Sequence, residues 1–117
     1  MAMNFPEFQC THVSASEEGN YLQVFFGEIE EEGDAAYLLV QRQFEFPDHG
    51  ECYVETNDPD FCGHYLIHRA QLTRNRFRIS YGNGPRKHVT VSFKATDRDF
   101  AEAERILRVI IPELEWL

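Results

Sequence analysis

The chain has 117 residues, 43% of them hydrophobic and 14% aromatic, enough apolar material for one packed domain over 1–117 and too much for a disordered chain. Twenty acids against eleven Lys and Arg set the formal charge at −9, which argues against a nucleic-acid partner, because phosphate contacts need bases. No apolar run approaches the ~18 residues that span a bilayer. The N-terminus lacks a basic and apolar leader pattern, so no membrane partner and a cytoplasmic location are expected.

In chain order, Phe8–Val13 reads as a first strand and Glu17-Glu18-Gly19-Asn20 as a turn. Tyr21–Ile29 is rich in aromatic and β-branched residues. Apolar side chains fall on both of its faces, as in a strand covered at least partly on two sides. Glu30-Glu31-Glu32-Gly33-Asp34 is a polar hairpin loop. Ala35–Phe44 is the next strand, with Tyr37 and Leu39 on one face and Leu38 and Val40 on the other. Phe46-Pro47-Asp48-His49-Gly50 signals a turn, Glu51–Thr56 a strand, and Asn57–Gly63 a loop. His64–Leu72 is a strand with a tight connection at Thr73-Arg74-Asn75. Arg76–Tyr81 alternates, with Phe77, Ile79 and Tyr81 inward and Arg76, Arg78 and Ser80 outward. Lys87–Lys94 alternates again, with Val89, Val91 and Phe93 inward.

The period then changes from 2 to 3.6. Thr96-Asp97 suits a helix start, Phe100, Ala103, Leu107, Ile110, Ile111 and Leu114 form an apolar stripe, and Pro112 ends the helix. Trp116-Leu117 is apolar enough to pack onto the sheet. The whole is an α+β domain: a mostly antiparallel sheet of about seven strands with one C-terminal helix laid across it.

Charge is unevenly placed. Residues 1–68 carry fourteen acids against Arg42 alone, residues 69–94 carry seven bases and no acid, and residues 95–117 carry six acids and three arginines. Two readings are open. Basic strands can lie beside acidic ones and pair on a solvated face, or the acidic half can form a negative surface that steers a basic partner.

Chemistry-bearing constellations are sparse. Three cysteines, Cys10, Cys52 and Cys62, are an odd count and suit reduced thiols, with Cys10 a small core residue. His49, Cys52, Cys62 and His64 are of zinc-ligand type, but their spacing is not that of a finger or ribbon; the plainer reading makes Cys52 a core strand residue. Cys62 with His64 or His68 lacks any activating feature for a nucleophile. Gly82-Asn83-Gly84-Pro85 is not followed by a helix and so does not cradle phosphate. No enzyme and no cofactor is expected.

The segments Tyr37-Leu38-Leu39-Val40-Gln41-Arg42, Glu51-Cys52-Tyr53-Val54-Glu55, His64-Tyr65-Leu66-Ile67 and Arg76-Phe77-Arg78-Ile79-Ser80-Tyr81, closed by a short acidic-start helix, resemble the immunity protein 10 family of bacterial polymorphic toxin systems over roughly residues 21–115. The resemblance implies a cytoplasmic antidote that binds a cognate toxin domain and blocks it without catalysis. The expected acidic contacts are Glu28, Glu30, Glu31, Glu32 and Asp34 on one hairpin, then Glu55, Asp58 and Asp60 near another loop. Phe61 and Tyr53 are the candidate aromatic anchors, with core packing as the plainer alternative. Arg42 and Glu55 are polar anchors within strands, or else a cross-strand ion pair. The alternatives are a general interaction domain, a homodimer joined through a sheet edge or the Trp116 end, and a small zinc protein.

Overall fold

A computed structural model describes residues 6–28 and 35–116. Among these residues there are nine strands and one α-helix: β1 (Glu7–Cys10), β2 (His12–Glu18), β3 (Tyr21–Gly27), β4 (Leu38–Gln43), β5 (Glu51–Thr56), β6 (Gly63–Thr73), β7 (Arg76–Tyr81), β8 (Lys87–Phe93), α1 (Asp97–Ile110) and β9 (Glu115–Trp116). The sheet runs β1-β8-β7-β6-β5-β4-β3-β2, an antiparallel meander from β2 to β8. Two short parallel pairings complete it, β1 on β8 and β9 on β6.

The count exceeds the expected seven at the two ends of the chain. The segment read as one strand over Phe8–Val13 is broken at Thr11: β1 pairs with β8, at one edge of the sheet, and β2 with β3, at the other. The chain thus crosses between the two edges in one residue, and the sheet curls almost onto itself. Across the interior, the Phe26 ring of β3 stacks on Phe77 of β7 at 5.2 Å and tilts against Phe93 of β8 at 5.5 Å. The other addition, β9, is too short for a periodic signal.

Alternation decides the inner face. Val24, Val40 and Val54 are aligned by register and fully buried, and so are Phe77, Ile79, Tyr81, Val89 and Val91. Each such side chain contributes about 1.5–3 kcal/mol on burial. In β6 the alternation slips at a bulge between Ile67 and Arg69. Tyr65 and Ile67 face inward before it, and Ala70 and Leu72 after it. His68 sits at the slip, 2.6 Å from the Gly82 carbonyl oxygen; a carbonyl only accepts, so Nε2 carries the proton. Ser80 lies on the outer face as its alternation requires, yet it is covered rather than open, and its hydroxyl is the one buried side-chain polar atom without a hydrogen-bond partner among the described residues.

Helix α1 fills the concave side. Thr96 caps it, its hydroxyl accepting from the Asp99 amide at 3.1 Å, and Asp97 and Asp99 occupy the positive first turn. Phe100, Ala103, Ile106, Leu107 and Ile110 are buried, so Ile106 joins the expected stripe. No helix among the described residues is long and apolar enough to cross a membrane. Trp116 packs edge-on to Phe100 but stays half exposed.

Candidate protein-binding face

Register places one outward set of side chains across β2–β6. Ser16, Gln23, Gln41, Tyr53 and His64 stand in one row, and Ser14, Phe25, Leu39 and Glu55 in the next. A third row holds Glu18, Tyr21 and Gln43, with Glu51 beside Leu66. These outward positions hold three carboxylates and no Lys or Arg. No other described element covers this face, so the two-sided cover expected for Tyr21–Ile29 is absent. Among the described residues Phe25 is half-buried by its neighbours, with Tyr37 stacked at 6.0 Å and His12 tilted at 6.1 Å.

Glu55 organises the middle of the face. Tyr37 and Tyr53 donate their phenol O–H groups to its two oxygens at 2.6 and 2.7 Å. Both bonds hold the Glu55 carboxyl below the usual glutamate range, Tyr37 first. The same bond to Glu55 pushes the Tyr53 phenol up to about 12. Glu55 is therefore a rigid, ionised acceptor. It does not pair with Arg42, which corrects the cross-strand ion pair. Arg42 points to the inner side, next to Leu22, and pairs with Asp48 at 2.7 Å.

The other expected contacts separate by role. Glu30, Glu31, Glu32 and Asp34 lie outside the described residues. Glu28 accepts from the Thr11 amide at 2.9 Å and from its hydroxyl, so it secures the β1–β2 break. Asp58 caps the 3-10 turn Pro59–Phe61 by accepting from the Asp60 amide at 3.0 Å. Phe61 is packed against the core, its carbonyl accepting from the Tyr81 phenol at 2.8 Å. Asp60 is exposed. Glu28 follows β3 and the Asp58 turn follows β5, so both lie at the same end of β3–β6.

The four zinc-type residues do not converge, although His49 and His64 line one groove. Cys52 faces the core, its thiol 3.6 Å from the Ile110 carbonyl oxygen, while His64, aligned with Tyr53, stands on the outer face. Cys62 turns to the carbonyl oxygens of Thr56 and Asp58, and His49 sits in the β4–β5 turn. No group of three or more His, Cys, Asp or Glu among the described residues could hold a metal ion.

At the end of the face opposite Asp58 an open groove of about 520 Å³ is lined by Tyr21, Gln41, Gln43, Glu51, Tyr53 and His64, with Pro47, His49 and the Arg42–Asp48 pair beside them. His49 holds a left-handed backbone, φ 54°, in the turn that forms one wall. The sequence reading assigned no role to this groove: its residues come from four strands, and only their register unites them.

Within the meander β7 has no acidic cross-strand neighbour. Arg78 has Gln71 and Thr90 as cross-strand neighbours, and Arg76 has Thr73 and Ser92. Arg69 and Arg74 find Glu115 and Asp97 near the C-terminus. The two halves of the outer surface thus differ in charge. Comparisons with known protein families, with curated proteins and with solved structures find no match.

Proposed function

We propose that this chain is a cytoplasmic immunity protein that binds a cognate toxin domain and neutralises it by occlusion, without catalysis. The observation that carries the reading is the uncovered outer face of β2–β5 and the start of β6, whose three rows hold aromatic side chains and three carboxylates and no Lys or Arg; Arg69, farther along β6, lies beyond them. Such a face attracts a basic partner from a distance and supplies rigid rings for contact. The likeness of residues 21–115 to an immunity family supports the same reading. A homodimer through this face is the second reading, and a doubled mass of the chain alone in solution would favour it.

The test is growth rescue. Genes beside this chain's own are searched for a large secreted protein, and the C-terminal domain of any such neighbour is expressed with and without the chain. Killing that the chain alone reverses is the expected result. A harmless neighbour, or killing regardless of the chain, overturns the proposal.

A further inference from the structure

Six large apolar side chains are well exposed among the described residues; one of them, Tyr21, lines the groove at one end of β3–β6, and Phe44, Phe46 and Leu66 are sequence or register neighbours of its lining residues. The Phe44 amide is bonded to the Asn20 carbonyl oxygen at 2.8 Å, next to Tyr21. Phe46, 64% exposed, adjoins the lining residue Pro47, and Leu66 is aligned with Glu51. Exposed aromatics gathered on one rim are uncommon on a surface that meets only water.

The charge inside the groove is equally one-sided. Arg42 and Asp48 neutralise each other at 2.7 Å. The Glu51 amide donates to the Asp48 carbonyl oxygen at 2.9 Å, but the Glu51 carboxylate makes no hydrogen bond or ion pair with any described residue, so it is the uncompensated charge of the lining. The Tyr53 ring lies beside it on the same face, with His64 5.2 Å away. A half-buried carboxylate flanked by tyrosine rings suits a planar cation that accepts both stacking and paired hydrogen bonds. Guanidinium meets this better than ammonium, which is more strongly hydrated.

We infer that this groove seats an arginine side chain from a basic protein surface, its guanidinium on Glu51, its plane against Tyr53 or Tyr21, and Phe46 beside Pro47 at the rim. The inference rests on the toxin-binding reading for the partner's identity and moves the anchor to the end away from Glu28 and Asp58.

The full chain, labelled with ¹⁵N, is titrated with acetyl-Gly-Arg-Gly-amide and with its Leu counterpart at millimolar concentration. Amide shifts centred on Tyr21, Glu51, Tyr53 and His64 with the Arg peptide alone are expected, weakened about fivefold or more in Glu51→Gln. Shifts that follow every surface carboxylate, equal shifts with the Leu peptide, or shifts untouched by Glu51→Gln overturn the inference. So do groove amides that move when the chain alone is diluted, because a second copy then occupies the groove. Against the toxin domain, Phe46→Ala with Glu51→Gln should raise Kd about 100-fold, with the rest of the amide spectrum unchanged. Rescue that succeeds with Kd unaltered in that variant overturns the groove and leaves the toxin reading intact. Failed rescue with a localised peptide response overturns the toxin reading and leaves the groove.

Discussion

Arg42 donates from Nη1 to the carbonyl oxygen of Ile110 at 3.0 Å, joining the inner side of β4 to the C-terminus of α1 across 68 residues of chain. The last carbonyls of a helix lack partners and carry the negative end of its dipole, so a guanidinium is well placed there. Asp48 in turn holds Arg42, accepting from Nε at 2.7 Å. Both side chains are more than four-fifths buried. Arg42→Ala should cost about 1–3 kcal/mol in urea unfolding at pH 7, since it leaves Asp48 with the Gly50 amide alone and the Ile110 carbonyl with the weak Cys52 thiol donor. The bond to Arg42 holds the Asp48 carboxyl below the usual range. Its contribution is present above the unfolded pKa and lost as pH falls through the lower folded value. Repeating the unfolding at pH 3 should therefore shrink the difference between wild type and variant.

The Glu55 cradle carries an alkaline signature. Tyr53 is raised to about 12 by its bond to Glu55, and Tyr37 rises further, through burial first and then the same carboxylate. A raised phenol contributes stability that is whole below about pH 10 and is lost as pH rises through the folded value. Ultraviolet titration should show Tyr53 still un-ionised at pH 11 in wild type. In Glu55→Gln one more tyrosine should ionise near pH 10. Identical curves would mean that Glu55 does not hold the phenols.

Core and rim aromatics should separate cleanly. Phe26→Ala removes a ring in contact with Phe77 and Phe93 and should cost about 3–5 kcal/mol. Phe46→Ala, at 64% exposure, should stay within about 0.5 kcal/mol in the same chemical denaturation.

Two glycines of one turn make a matched pair. Gly82 has φ +134°, and a Cβ there would meet the Pro85 carbonyl oxygen at 2.9 Å. Gly84 has open space. Gly82→Ala should lower stability by about 1–3 kcal/mol and Gly84→Ala by almost nothing, read as a shift in Tm.

Burial pushes the Cys10 and Cys52 thiols up to about 11. Both should resist a disulfide reagent at pH 8 in the folded chain and react once urea unfolds it. Fast labelling of either in the native state would contradict the packing described for β1 and β5.

Much of the fold is legible in the residues themselves. The alternation of Arg76–Tyr81 and Lys87–Phe93 reports its own buried face, because strand side chains repeat every two residues whatever lies beside them. Thr96 and the stripe from Phe100 to Ile110 report a capped amphipathic helix in the same local way. The break at Thr11 leaves no such mark, since either half reads as strand and only the choice of β8 or β3 as neighbour divides them. The bulge at His68 likewise follows from two different partners, β5 and β7, claiming one long strand.

The candidate site follows the same division. Composition and the charge count mark an acidic, aromatic chain, and the local run Glu30–Asp34 draws attention because adjacency in sequence is visible. What the sequence by itself determined is the inventory: which residues are apolar, charged or turn-forming, and the period in which they recur. Only the tertiary structure decided that Arg42 serves Asp48 and Ile110 rather than Glu55. It also decided that Glu51, Tyr53, Tyr21 and His64 share one groove. Those neighbours are set by strand register and sheet curl, which arise from pairings between distant segments, and a local period holds no record of a partner elsewhere in the chain.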